Sequence, residues 1–422
     1  MNLPLRFPRV ALVAFVALTS LLAAAPANLV NGFDPARLDR IDALFQQSVD
    51  RGQLAGAVVY IARDGQPVRQ KAFGRQDIEA NKPMALDAIF RIASMSKAVT
   101  SVAVMMLYEE GHFRLHDPVS KFIPGFKDAV VAVAPSADHP ALPGKTYATV
   151  PAKRPLQIRD LLTHTAGLTY GNGLAEADYK AADLIGWNFT KHDETIGQAI
   201  NRLAKLPLHG QPGDAWQYGF ATDVLGYLVE VVSGLPLDRF FAERIFAPLR
   251  MVDSCFYLPP EKAARLANVY GIEQGKLVLK ESAATSLYVN GPRKCFSGGA
   301  GLLSTVNDYA RFLQMLLNGG ELDGVRLLSP KTVEIMRANQ VGDKYRTEMD
   351  GFGLGFWVIT DLGYSGELGS SGSFGWGSAY YPQYFVDPKE RLVGFFLTQL
   401  TPTGGFDLNQ RFRPMVYQAL VR

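Results

Sequence analysis

Cysteine and histidine are both scarce in this 422-residue chain, which limits the metal and redox chemistry open to it. It has two cysteines and six histidines. Cys255 and Cys295 can pair in an oxidising compartment or stay as two buried thiols, and the sequence leaves both possibilities open. His112 and His116 are four residues apart, but Gly111 breaks the helical pattern before them, so we interpret them as loop residues. The sequence therefore predicts no metal site and no cofactor.

A strong excess of one charge is also absent, and this argues against nucleic-acid binding. The net charge is +3 at pH 7, from 43 Lys and Arg against 40 Asp and Glu. The sequence has no run of Lys and Arg and no interleaving of basic with aromatic residues, so no nucleic-acid partner is expected. With 48% hydrophobic and 20% charged residues, the chain is long enough for a large core and one or two domains.

Beyond the N-terminus, no apolar run is long enough to cross a membrane. At the N-terminus, Arg6 and Arg9 precede an apolar segment at residues 10–22, and small residues rich in alanine follow. This order is typical of a secretory signal peptide over residues 1–27, and the alternative is a membrane anchor that is never cleaved. The mature chain is expected to be exported, either periplasmic or secreted, without a membrane span.

After the predicted signal peptide, the spacing of apolar residues predicts both helices and strands at the two ends of the chain. Asp34 and Pro35 form an N-cap and first-turn pair, which predicts a helix. Residues 64–65 (Asp-Gly) lie between two apolar runs and predict a hairpin. Successive antiparallel strands are predicted within residues 353–400, and a final helix is predicted over residues 406–420.

The middle of the chain carries helical patterns between loops rich in proline and glycine. One predicted helix covers residues 187–204, whereas residues 127–155 have no firm assignment and are typical of a lid or rim beside a site. We therefore predict a discontinuous α/β domain of residues 28–110 and 291–422, with a mostly helical domain of residues 111–290 between them. The cleft between two such parts is a common place for a site.

Ser94 and Lys97 form a candidate nucleophile pair, S-x-x-K, at the start of a long apolar helical pattern. Residues three apart share one face of a helix, so the hydroxyl and the amine can touch. A serine hydroxyl needs a neighbouring base to become a good nucleophile. A lysine serves as that base only where burial or nearby positive charge favours its neutral form. The motif is weak by itself, since any helix can carry this pair.

Two further stretches can carry chemistry of the same kind. Tyr218 lies in a loop at a predicted helix start, where a phenol near an ammonium can pass a proton between nucleophile and leaving group. Residues 372–380 are rich in glycine, which suits a strand whose backbone approaches a ligand and offers an N–H to an oxyanion. Taken singly, Tyr218 also fits a packing aromatic, and the strand also fits a twisted edge without function.

The order of these three motifs resembles that of serine β-lactamases and penicillin-binding proteins. The whole mature chain is similar to the related branch that includes family VIII carboxylesterases. Further support comes from residues 161–168 (LLTHTAGL), 248–253 (PLRMVD) and 297–305 (SGGAGLLST). The resemblance implies a β-lactamase-like α+β fold, in which helices flank an antiparallel sheet and an all-helical domain is inserted.

The same resemblance implies a role for each residue of the site. Ser94 is the implied acylated nucleophile, Lys97 its base partner and Tyr218 the proton shuttle. The backbone N–H groups of Ser94 and Ala379 are the implied oxyanion hole. His164, within the LLTHTAGL stretch, is interpreted as structural because this mechanism uses no histidine.

Two positions depart from the usual pattern of penicillin-recognising enzymes. Phe220 stands where the asparagine of Tyr-x-Asn is usual, and Trp376-Gly377-Ser378 stands where Lys/His-Thr/Ser-Gly is usual. An anionic substrate loses polar partners at both places, and an unpaired polar group in a dry site costs about 1–3 kcal/mol. A pocket of these four residues therefore favours neutral groups.

The expected activity is that of a serine carboxylesterase acting on small, neutral, short-chain esters, with a weak β-lactamase side activity open to it. One alternative is a β-lactamase or D-Ala-D-Ala carboxypeptidase type of penicillin-recognising enzyme. Another is an acyltransferase on the same scaffold, and a third is a binding or sensor domain that has kept the fold without catalysis.

Overall fold

The computed structural model of the protein describes residues 29–345 and 351–422, so the predicted signal peptide lies outside the described residues. Its helices are α1 (Pro35–Asp50), α2 (Ser96–Glu109), α3 (Ile158–Leu162), α4 (Glu176–Ala181), α5 (Ile196–Leu203), α6 (Ala221–Ser233), α7 (Leu237–Phe241), α8 (Leu287–Asn290), α9 (Val306–Leu317), α10 (Pro330–Met336), α11 (Leu362–Ser365) and α12 (Leu408–Ala419). Its strands are β1 (Gly56–Arg63), β2 (Gln66–Asp77), β3 (Lys82–Pro83), β4 (Phe90–Arg91), β5 (Val130–Val133), β6 (Ala148–Pro151), β7 (Val269–Glu273), β8 (Lys276–Glu281), β9 (Leu303–Ser304), β10 (Glu321–Leu322), β11 (Val325–Arg326), β12 (Gly351–Phe352), β13 (Trp357–Val358), β14 (Phe374–Gly377), β15 (Gln383–Asp387) and β16 (Leu392–Thr398). Over these two described ranges, every helix is either too short or too polar to reach across a bilayer.

An antiparallel sheet of eight strands organises the α/β part of the molecule. Its strand order is β12-β13-β14-β15-β16-β1-β2-β3. The first long strand, β1, lies between β2 and the last strand, β16, with Ala57 opposite Phe73 on one side and Thr398 on the other. The predicted hairpin is confirmed: Asp64 and Gly65 join β1 to β2, both with positive φ as a tight two-residue turn requires.

The two faces of this sheet are covered by different helices. Alternate residues of a strand point to opposite faces, so Val59 belongs to a core with α1 and α12 while its neighbour Val58 belongs to a core with α2 and α9. Likewise, Phe396 packs on Phe412 of α12, whereas Phe395 packs on Tyr309 of α9. The predicted arrangement of an antiparallel sheet flanked by helices is therefore confirmed.

Capping signals in the sequence locate several helices correctly. The Asp34 side chain accepts hydrogen bonds from the N–H groups of Ala36 and Arg37, and α1 begins at the following proline. Thr305 accepts from the N–H of Asp308 and begins α9 in the same way. The predicted final helix is present as α12.

Two predictions for the middle of the chain are wrong. The helix predicted over 187–204 begins only at α5, because a capping box between Thr195 and Gln198 starts it there and leaves residues 187–195 as a loop. Residues 127–155 were predicted to form a lid or rim beside a site. They contain the hairpin β5–β6, whose buried side chains pack into the core, and none of these residues is among the described residues that line the cavity beside Ser94. The 111–290 segment also holds the hairpin β7–β8.

The two cysteines are thiols. Cys255 and Cys295 are both free, and Cys295 is buried. Burial raises the pKa of the Cys255 thiol to about 12, and burial also raises the pKa of Cys295. Of the two possibilities that the sequence left open, the structure has two inert thiols.

Candidate active site

Ser94 lies in a single 3-10 turn, Ala93–Met95, which joins β4 to α2. Ala93 has a φ of +35°, a backbone conformation that residues with a side chain rarely adopt, so the chain bends sharply just before the serine. The following helix is buried continuously from Ser96 to Leu107, which anchors the turn in the core.

Lys97 lies one turn after Ser94, and its side chain is buried, with the residue only 1% exposed. Its Nζ donates to Ser94 Oγ at 3.4 Å, to Tyr170 OH at 3.1 Å and to the carbonyl oxygen of Gly299 at 2.8 Å. The predicted approach of amine to hydroxyl is confirmed. These three oxygens hold the Lys97 Nζ in place beside the serine hydroxyl.

Tyr218 comes from the loop before α6 and lies close to Lys97. The Lys97 Nζ lies 4.6 Å from the centre of the Tyr218 ring. The Tyr218 hydroxyl accepts a hydrogen bond of 3.3 Å from Trp376 Nε1. The loop is pressed against residue 169, because a Cβ on Gly219 would lie 2.4 Å from the Thr169 Cα, and only glycine permits that approach.

Tyr170 is a part of the site that the sequence did not reveal. Its hydroxyl accepts from Lys97, and its ring packs edge-on against that of Tyr218 with the ring centres 5.6 Å apart, so it contacts both the amine and the second phenol. Burial, and then the neighbouring Tyr218 and Asp223, raise the pKa of Tyr170 well above its usual value, so it stays protonated. Its one sequence signal is its place directly after the LLTHTAGL stretch, in a loop rich in glycine.

His164 lies behind Tyr218 and outside the chain of hydroxyl and amine groups. Its ring centre is 4.9 Å from that of Tyr218, and its backbone carbonyl accepts from the N–H of Gln217. Burial, and secondarily the charge of Lys97, hold the pKa of His164 well below its usual value. A neutral, buried ring in this position supports the tyrosine loop by packing.

The cavity that contains Ser94 is walled mainly by aromatic rings. It has a volume of about 370 Å³. The residues that line it are Ser94, Tyr170, Trp187, Tyr218, Tyr345, Trp357, Trp376, Gly377, Ser378 and Ala379. Among these described residues none carries a charge. The end of β14 thus brings Trp376, Gly377, Ser378 and Ala379 to the serine, and Ala379 packs against the small cluster around Ala93.

Phe220 does not line this cavity, and its prediction as a pocket residue is wrong. It precedes α6, and its side chain turns into the core, where it is fully buried. Its ring packs edge-on against Tyr170 at 5.1 Å and against Phe189 at 5.7 Å. Phe220 therefore supports Tyr170 from behind.

Comparison with known proteins shows the family of the chain. The sequence pattern of the Beta-lactamase family matches residues 41–414. This chain belongs to the Beta-lactamase family. Protein Rv1367c of Mycobacterium tuberculosis (strain H37Rv) is 35% identical over 381 residues, which cover 86% of this chain and 90% of that protein. Esterase EstB of Burkholderia gladioli is 31% identical over 385 residues, again 86% of this chain and 90% of the relative.

A solved structure has a fold similar to that of this chain. EstCE1, described as a hydrolase with promiscuous acyltransferase activity, matches with a TM-score of 0.78 at 28% identity, over 90% of this chain and 98% of that chain. Membership of the Beta-lactamase family confirms both the resemblance and the fold predicted from the motifs. Its relatives include an esterase, which supports a hydrolase of the serine β-lactamase type.

Proposed function

We propose that the protein is a serine carboxylesterase that cleaves neutral, short-chain esters through an acyl-enzyme on Ser94. One observation carries the proposal: a serine hydroxyl lies 3.4 Å from a buried amine, in a cavity walled by aromatic rings. The esterase activity named for the EstB relative supports the same class of reaction. The pattern at residues 1–27 supports export of the enzyme to the periplasm or the medium.

In the acylation step, Ser94 Oγ attacks the ester carbonyl carbon while its proton passes to the Lys97 amine. The carbonyl oxygen becomes an oxyanion, which the N–H groups of Ser94 and Ala379 stabilise. When the bond to the alcohol oxygen breaks, Tyr218 gives that oxygen a proton and regains one from Lys97. Water then attacks the acyl-enzyme with the same groups, and the carboxylic acid leaves.

The lining of the cavity supports a neutral substrate. Its volume of about 370 Å³ is at the small end of ligand cavities, which suits short acyl chains. Trp376 occupies the wall where a cation of a penicillin-recognising enzyme would meet a carboxylate. Its Nε1–H is already committed to Tyr218, so it offers no free donor to an anion.

We expect the enzyme to prefer p-nitrophenyl butyrate over p-nitrophenyl hemisuccinate by about 10-fold or more in kcat/KM, since an unpaired charge costs over 1 kcal/mol in such a site. The two esters share a leaving group and have similar length, so they differ chiefly in one carboxylate. Nitrocefin, measured beside them, is expected to turn over more slowly than the butyrate. Faster turnover of nitrocefin or of the hemisuccinate would contradict the proposed substrate class.

Acyl transfer to an alcohol is a second candidate, favoured by the promiscuous acyltransferase activity of the structural relative EstCE1. The same acyl-enzyme reacts with an alcohol in place of water, and an aromatic cavity retains an apolar alcohol more readily than water. With butanol added to p-nitrophenyl butyrate, we expect butyl butyrate to form while release of p-nitrophenol continues. Release of butyric acid alone, measured by gas chromatography, would exclude transfer.

A further inference from the structure

A carboxylate that the proposed chemistry does not use lies behind Lys97. Asp223 is the third residue of α6 and is only 1% exposed. Its Oδ1 accepts hydrogen bonds from Ser297 Oγ at 2.5 Å and from the N–H of Gly299 at 3.0 Å. Its Oδ2 is buried without a hydrogen-bond partner among the described residues. Burial of a carboxylate in this way is costly unless a cation lies nearby to offset it.

Gly299 connects this carboxylate to the amine. Its N–H donates to Asp223, and its carbonyl accepts from Lys97 Nζ at 2.8 Å. A Cβ at this position would lie 2.6 Å from Asp223 Oδ2, so no other residue fits between the two groups without moving one of them. The N–H of Ala300 also donates to Ser297 Oγ, which folds the whole segment around the carboxylate.

Three titratable groups interact electrostatically with Asp223. They are Lys97 from α2, Tyr170 from the loop after α3, and Cys295 from the segment after α8. Burial raises the pKa of the Asp223 carboxyl, and Lys97 is the strongest influence against that rise. Burial also raises the pKa of Tyr170 and of Cys295, so both are neutral partners.

The neighbours of Lys97 also support a pairing of Lys97 with Asp223. They are Tyr170, the ring of Tyr218, His164 and Asp223. His164 is neutral because burial lowers its pKa. Among these described neighbours, Asp223 is the one carboxylate.

We propose that Asp223 is a positioning residue for Lys97, which it orients through Gly299 and stabilises in the protonated form. The inference rests on the proposed function. When Ser94 attacks, its proton moves to Lys97 Nζ, and Asp223 remains an anion that stabilises the ammonium so formed. Its part is that of the aspartate in a Ser-His-Asp triad, which orients the base and stabilises its protonated form without taking the proton.

The test is Asp223→Asn, which keeps the shape of the side chain and removes its charge. We expect kcat on p-nitrophenyl butyrate to fall about 10- to 100-fold with little change in KM, as for the loss of a hydrogen-bonded charge. Without the anion the ammonium is less stable, so the acidic limb of the kcat/KM pH profile is expected to move to lower pH. Rates are expressed per active site, titrated with a fluorophosphonate.

Ser297→Ala is a second variant that removes a hydrogen bond to the carboxylate but leaves its charge in place. We expect it to lower kcat by less than Asp223→Asn does and to leave the pH profile unmoved. If Asp223→Asn does not fold, Ser297→Ala alone tests the positioning role, and a wild-type kcat in that variant would overturn it.

Asp308→Asn is the matched control. Asp308 is also the third residue of a helix, α9, and also accepts from a backbone N–H, of Asp253, and a serine hydroxyl, of Ser254. Burial raises its pKa as well. We expect this variant to lose stability but to keep the kcat and pH profile of the wild type. If Asp223→Asn behaves in the same way, its role is structural and the inference fails. Unchanged turnover by Ser94→Ala would instead overturn the proposed function itself.

Discussion

Ser94→Ala is expected to slow the hydrolysis of p-nitrophenyl butyrate by about 10⁴-fold or more, because loss of a nucleophile leaves only binding and the oxyanion hole. The change removes a single oxygen, the one that lies 3.4 Å from Lys97 Nζ. Steady-state rates of the purified mature protein measure the loss. Intact-protein mass spectrometry with a fluorophosphonate should show one adduct on the wild type and none on the variant.

The matched control is Ser101→Ala. Ser101 is buried on α2, the helix that follows the Ser94 turn, and is not among the described residues that line the cavity. We expect this variant to retain wild-type rates per folded molecule and to be labelled normally. Ester turnover that survives in Ser94→Ala, with normal folding of both variants, would remove Ser94 from the mechanism.

Tyr218→Phe should lower kcat by about 10²- to 10⁴-fold, the usual contribution of a positioned proton-transfer group. The substitution keeps the ring that contacts Lys97 and His164 and removes only the hydroxyl that accepts from Trp376. Because binding is little altered, KM should stay within a few-fold of the wild type. Stopped-flow measurement of the first turnover will show whether acylation is the step that slows.

Tyr227→Phe provides the comparison for this variant. Tyr227 lies on α6, the helix that follows the Tyr218 loop, and its hydroxyl accepts from Asn201 away from the cavity. Its loss should leave kcat and KM unchanged. A Tyr218→Phe enzyme with kcat within about three-fold of the wild type would show that this phenol transfers no proton in the slow step.

Local signals predicted those parts of the molecule that depend on neighbours in the sequence. The Asp34 cap and the Asp64-Gly65 turn were placed correctly because each is decided by hydrogen bonds and backbone angles within a few residues. The proximity of Ser94 and Lys97 is also decided locally, because residues three apart lie one helical turn from each other. The spacing could therefore predict that the hydroxyl and the amine lie close together, whereas their roles as nucleophile and base came only from the resemblance to a family.

The parts that could not be predicted depend on distant contacts. Tyr170 and Asp223 act on Lys97 only because loops and helices far apart in the chain meet there; the Tyr170 hydroxyl and the amine are 73 positions apart. The direction of the Phe220 side chain depends on packing against Tyr170 and Phe189, which no local pattern reports. The helix predicted over 187–204 began too early, and the structure instead places Trp187 in the cavity wall and starts α5 after Thr195.

The pairing of the first long strand with the last has a consequence for how the protein is made. Thr398 of β16 donates a hydrogen bond to the carbonyl of Gly56, a residue 342 positions earlier. During synthesis, β1 leaves the ribosome long before its partner exists, so the centre of the sheet closes only after β16 has been made. A premature stop anywhere before β16 would leave β1 paired with β2 alone, with its other edge unpaired in the middle of the sheet.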